Sequence, residues 1–143
     1  MKIKKHDYLF IFIALALIVL DQITKVMIRN FMVKGESFTL IKNILYLTYV
    51  QNTGAAFGIL QNTVILLMWF SVIALGFIFY FYDRMHFVPR ALLTAGIVGN
   101  LIDRIFLKYV TDFIDFRFWP AFNVADSCLS IGVILLLVYI FKK

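Results

Sequence analysis

Apolar residues run along this chain in four long blocks, Tyr8 to Ile28, Thr63 to Tyr82, Val88 to Leu107 and Phe122 to Phe141. Each can supply the roughly 20 residues that cross about 30 Å of hydrocarbon. The pattern predicts an all-α membrane protein, one integral-membrane domain over residues 1–143 with four transmembrane helices. Polar residues interrupt the blocks only near particular ends. The first block closes on Asp21 and Lys25, which share a helix face because residues four apart are neighbours there. If that helix enters near Asp7, a rise of about 1.5 Å per residue carries Asp21 some 21 Å across and Lys25 about 27 Å across. The third block ends on Asn100, Asp103 and Arg104, and the fourth opens on Asn123 and Asp126. With alternating helix directions, all these ends lie on one side of the membrane. Asp103 is expected to answer to Lys25, and Gly96 and Gly99 to let helices approach closely.

The connections carry their own patterns. From Gly35 to Gln51, β-branched and aromatic residues dominate around Lys42-Asn43, which predicts a short extracytoplasmic hairpin on the membrane face, within a segment of about 29–62. Asn52-Thr53-Gly54-Ala55-Ala56-Phe57-Gly58 follows, a small-residue loop that permits close backbone approach. The connection over about 108–121 mixes Phe113, Phe116, Phe118 and Trp119 with Asp112, Asp115 and Arg117. That composition predicts an interfacial loop that could act as a flap.

Composition narrows the class. With 63% hydrophobic residues, the chain exceeds ordinary soluble domains, in which nearer half are apolar. The net charge of +6 is read as topology instead of a nucleic-acid footprint. Lys2, Lys4, Lys5, Arg84, Arg90, Lys142 and Lys143 mark the cytoplasmic side, which places both termini there. Arg29, Lys34, Lys42, Lys108 and Arg117 face outward, partly offset by Glu36, Asp112 and Asp115. The first block ends in Asp-Gln-Ile-Thr-Lys, not in a small-residue cleavage site, so it is read as a retained helix. The single cysteine, Cys128, excludes an intramolecular disulfide and a cysteine metal cluster. His6 and His86 fall at the cytoplasmic ends. No metal site and no cofactor are expected.

Two aspartates remain to be explained. A carboxylate at a membrane edge is costly unless it is paired, solvated or used. The helix dipole accounts for Asp126 in a first helical turn but not for Asp112. Side by side, the two would share a proton near neutral pH, providing an acid and a base at once. That arrangement suits hydrolysis by a water held between them. The alternative from another class is a small transporter or proton relay using Asp21, Lys25, Asp103 and Arg104. A non-catalytic scaffold would leave Asp112 idle, and a serine–lysine protease would draw on Ser127 or Ser130 with Lys25.

Five blocks, in order, resemble the signature of the bacterial lipoprotein signal peptidases, or signal peptidase II. They are Asp21-Gln22-Ile23-Thr24-Lys25, Asn52 to Gly58, Gly99-Asn100-Leu101-Ile102-Asp103-Arg104, Val110-Thr111-Asp112-Phe113-Ile114-Asp115, and Phe122-Asn123-Val124-Ala125-Asp126-Ser127. The resemblance implies an aspartyl endopeptidase of the bacterial inner membrane, with its active site near the extracytoplasmic face. Such an enzyme cuts diacylglyceryl-modified prolipoproteins just before the lipidated cysteine. It implies Asp112 and Asp126 as the catalytic pair. Asn52, Gly54, Asn100, Arg104, Asn123 and Ala125 would line or orient the site, and Asp21, Lys25 and Asp103 would support it. It further implies a monomer surrounded by phospholipid, with no nucleic-acid partner, and globomycin-type cyclic peptides as inhibitors.

Overall fold

A computed structural model describes residues 5–54 and 63–142. Among these residues four α-helices form, α1 (Lys5–Phe31), α2 (Val64–Tyr80), α3 (Phe87–Leu107) and α4 (Val124–Phe141), close to the four apolar blocks. Three strands accompany them: β1 (Ser37–Ile41), β2 (Leu45–Asn52) and β3 (Val110–Asp115).

The helices are inside out by the standards of a water-soluble bundle. Phe12, Leu15, Ile65, Trp69, Phe77 and Phe141 are all exposed, far more apolar surface than a soluble monomer tolerates. Residues His6–Phe31 and Val124–Phe141 are long and apolar enough to cross a membrane, while the apolar α2 has 17 residues. Helix α3 is different because it carries Arg90, Asp103 and Arg104 along its length. It tolerates them by being central: it packs against α1, α2 and α4, and Arg90, Asn100 and Asp103 are all buried. Glycines bring α4 and α1 close to it. A Cβ at Gly96 would stand 2.5 Å from the Ala125 carbonyl oxygen, and one at Gly99 would stand 2.7 Å from Asp21 Oδ2.

At the end where α3 begins, Arg90 lies 3.4 Å from the Tyr82 ring centroid and 4.6 Å from that of Phe10. It donates to the Tyr82 carbonyl at 2.6 Å and pairs with Asp7 at 3.8 Å. A residue read only as a topology charge thus also ties α1 to α3. His6 stacks on Phe87 and His86 caps α3, both away from the aspartates.

The hairpin forms where expected. Asn43 takes a positive φ of 63° at the turn, a conformation that asparagine tolerates better than most residues. The connection after α3 requires a correction. Over 108–121 the sequence predicts an interfacial loop, but Val110–Asp115 is a strand that pairs antiparallel with β2, giving the sheet order β1-β2-β3. The molecule is therefore mostly helical with a three-stranded sheet, not all-α. Strand β3 is buried on both faces, so its apolar residues show no simple two-residue alternation and its aspartates mask the signal. Lys108 adopts the left-handed conformation that ends α3 and turns the chain into β3. Phe113 and Ile114 then donate their backbone N–H groups to the Phe122 carbonyl, holding the start of α4 beside the strand.

Candidate active site

Strand β3 delivers Asp112 and the first turn of α4 delivers Asp126 to one open cavity of about 580 Å³. Asn52, Gly54, Asn100 and Arg104 line its polar part, and Val110, Pro120, Phe122, Leu129 and Ile131 contribute apolar wall. The two acidic residues come from distant elements, and a single asparagine joins them. Asn123 Nδ2 donates to Asp112 Oδ1 at 2.7 Å, while the Asn123 backbone N–H donates to Asp126 Oδ2 at 3.2 Å. Asn123 Oδ1 accepts from Asp126 N at 2.9 Å, completing a reciprocal cap at the start of α4.

Every carboxylate oxygen of the pair faces an amide donor. Asn52 Nδ2 donates to Asp112 Oδ2 at 3.0 Å, and Asn100 Nδ2 donates to Asp126 Oδ1 at 2.8 Å. Asn52 is itself held by the Gly54 N–H, which donates to its Oδ1 at 2.9 Å. Asn100 has its orientation fixed, because its Oδ1 accepts from Lys25 Nζ at 2.9 Å and from Asn123 Nδ2 at 3.1 Å. Neutral amides orient carboxylates without discharging them. Burial, and then the neighbouring charge of Asp126, push the Asp112 carboxyl up to about 7, against the opposing pull of Asn52, Asn123 and Lys25.

Behind the pair lies a buried layer of charge. Lys25 Nζ stands 2.9 Å from Asp21 Oδ2 and 3.5 Å from Asp103 Oδ2. Asp21 Oδ1 accepts from the Ala125 N–H at 2.8 Å, which gives Ala125 a backbone role. Arg104 lines the cavity within electrostatic reach of Asp112, Asp126 and Asp103, and no hydrogen bond or ion pair holds it among the described residues. All the predicted site residues therefore gather at one end of the bundle. Ala55 to Gly58 of the small-residue loop lie outside the described residues.

Three contributors had no site role in the sequence. Gln22 donates to the Gly99 carbonyl at 3.0 Å, and Arg29 donates to Thr111 Oγ1 at 3.0 Å and lies 3.6 Å from Asp103. Spacing could have revealed Arg29, since residues 21, 25 and 29 share a helix face. Thr111 donates its backbone N–H to Asp103 Oδ2 at 2.9 Å, a role that no side-chain pattern announces. The serine–lysine arrangement does not form. Ser127 and Ser130 donate to the carbonyls of Asn123 and Asp126, and Lys25 is committed to the buried layer.

Fold and site together define a helical protein with lipid-compatible flanks and a paired-carboxylate cavity at one end. Residues 13–142 match the family described as signal peptidase (SPase) II. The chain is 41% identical to a lipoprotein signal peptidase of Halothermothrix orenii over 136 residues, covering 92% of this chain and 94% of the relative. It is 38% identical to one of Clostridioides difficile over 139 residues, covering 92% of this chain and 94% of that protein. A solved bacterial membrane enzyme superposes with a TM-score of 0.88 at 38% identity, over 93% of this chain and 87% of the other. A second superposes with a TM-score of 0.84, also at 38% identity, over 94% and 93%. The chain belongs to the signal peptidase II family. It is a peptidase, and its solved relatives are membrane enzymes.

Proposed function

We propose that this chain is an aspartyl endopeptidase that removes signal peptides from diacylglyceryl-modified prolipoproteins, cutting the bond before the lipidated cysteine. All four helices cross the inner membrane of a bacterium, with both termini cytoplasmic and the cavity near the extracytoplasmic face. The observation that carries the reading is the Asn123 bridge, which holds Asp112 and Asp126 to one cavity.

The chemistry follows from the shared proton. Asp112, pushed up to about 7, is the member that holds the proton below that pH, and Asp126 is the base. Asp126 takes a proton from water as the water oxygen attacks the scissile carbonyl carbon, and Asp112 protonates the carbonyl oxygen. The resulting tetrahedral diol collapses as its hydroxyl proton returns to the pair and the pair protonates the amide nitrogen. The C–N bond then breaks, leaving a carboxyl on the signal peptide and an amine on the cysteine. Arg104 is free to hold an anionic group of the lipid-bearing substrate, in the bidentate manner open to guanidinium. The mixed polar and apolar wall suits a peptide that arrives attached to a membrane helix and acyl chains. The working unit is a monomer in phospholipid, and globomycin-type cyclic peptides compete for the same cavity.

The test is to incubate purified protein with one prolipoprotein in two forms, with and without the diacylglyceryl group, and to follow the products by mass spectrometry. Cleavage before the modified cysteine is expected to exceed that of the unmodified form by about 100-fold or more, since remote binding energy is used at the reacting bond. Equal cleavage of both forms, or cleavage elsewhere, would contradict the substrate assignment.

A further inference from the structure

The buried charge layer has a symmetry that the active-site residues alone do not explain. Asp21 Oδ1 accepts the backbone N–H of Ala125, the residue before Asp126, at 2.8 Å. Asp103 Oδ2 accepts the backbone N–H of Thr111, the residue before Asp112, at 2.9 Å. Each supporting carboxylate thus grips the chain one residue ahead of one member of the pair. Lys25 Nζ lies between the two grips, 2.9 Å from Asp21 and 3.5 Å from Asp103. Lys25 also donates to Asn100 Oδ1, which turns the Asn100 amide toward Asp126. The side chain of Lys25 is fully buried, so water cannot stand in for it.

We infer that Lys25 is a positioning residue that sets the separation of Asp112 and Asp126 by bridging the two carboxylates that hold the backbone in front of them. The inference rests on the aspartyl-pair reading above and adds a cause for the pair's spacing. A simple charge-neutralising role would require only that some cation sit near Asp21 and Asp103, and Arg29 already pairs with Asp103 at 3.6 Å. The brace requires one group to reach both carboxylates. Lysine suits this, since its three ammonium hydrogens can point to Asp21, Asp103 and Asn100 at once.

The test compares Lys25→Met, Lys25→Arg and the charge-balanced double variant Lys25→Met/Asp21→Asn with the native chain. Each is purified in detergent or lipid, its folded fraction is taken from a thermal melt, and kcat and KM are measured on a diacylated prolipoprotein. Asn at 21 keeps an oxygen for the Ala125 N–H, and Asp103 stays paired with Arg29, so the double variant folds without the bridge. The double variant is expected to lose kcat by about 100-fold per folded molecule with KM changed by less than about threefold, because small displacements of reacting groups carry losses of this size. Lys25→Arg, which can still span two carboxylates, is expected to recover at least about tenfold of the loss seen in Lys25→Met. Lys25→Met is also expected to move the alkaline limb of the pH–rate profile upward. Asp112 is faced by Asp126 on α4, Arg104 on α3 and Lys25 on α1, and removing Lys25 takes away one cation that favours its ionised form. Native kcat in the folded double variant would overturn the brace. If Asp112→Asn, assayed alongside, remained active, the aspartyl-pair reading itself would fall, a result separate from the failure of Lys25 alone.

Discussion

Asp112→Asn and Asp126→Asn are each expected to lower kcat by on the order of 10³-fold or more. Each removes one half of a proton exchange that contributes roughly 10²–10⁴-fold in acid–base catalysis, and the remaining carboxylate cannot do both jobs. Folding should survive. At Asp112 the substitution turns one amide nitrogen toward a donor, either Asn52 or Asn123, at a cost of about 1–3 kcal/mol. At Asp126 the substitution instead removes the buried charge that raises the Asp112 carboxyl, which works in the opposite direction. The check is single-turnover cleavage of a diacylated prolipoprotein, with a thermal melt on the same preparation. Near-normal turnover in either variant would remove that aspartate from the chemistry.

Asn123→Ala is the second large effect, and its character is mixed. The side chain is fully buried and serves as the α4 cap, the donor to Asp112 and the donor to Asn100. Loss of such a cap alone costs about 0.5–2 kcal/mol. The Asp112 and Asn100 oxygens, on residues only 2% and 3% exposed, then each lose a partner. Small misplacements of reacting groups can cost up to about 100-fold. The expected result is a lower melting temperature together with a kcat reduced by about 10–100-fold per folded molecule. A stability loss with native kcat would reduce Asn123 to a helix cap.

Much of this was legible in the residues, for identifiable reasons. The helices were visible because long apolar runs mark them, so run length alone reveals them. The hairpin was visible because Lys42-Asn43 breaks a run of β-branched and aromatic residues. The Lys25–Asp103 pairing was legible because two charges at corresponding depths in apolar segments need each other. Strand β3 was not, since Thr111, Asp112 and Asp115 interrupt its apolar residues and all three are buried. Its strand state depends on β2 and on the Phe122 carbonyl, neither of which can be read locally. The grips on the Ala125 and Thr111 N–H groups were hidden for a similar reason. Backbone donors carry no side-chain signature, so only the packing of α1 and α3 against β3 and α4 reveals which carboxylate serves which strand or helix.

The central claim is that two carboxylates share one proton at the working pH, and the pH dependence of kcat/KM on a diacylated prolipoprotein tests it most directly. Burial and the charge of Asp126 raise the Asp112 carboxyl to about 7, so the protonated acid required for attack is present below that value and lost above it. At acidic pH the second carboxylate also takes a proton and the base disappears. The account predicts a bell-shaped profile whose alkaline limb falls near pH 7 in the native chain. A rate that keeps rising above about pH 8, as for a nucleophile activated by deprotonation, would contradict it.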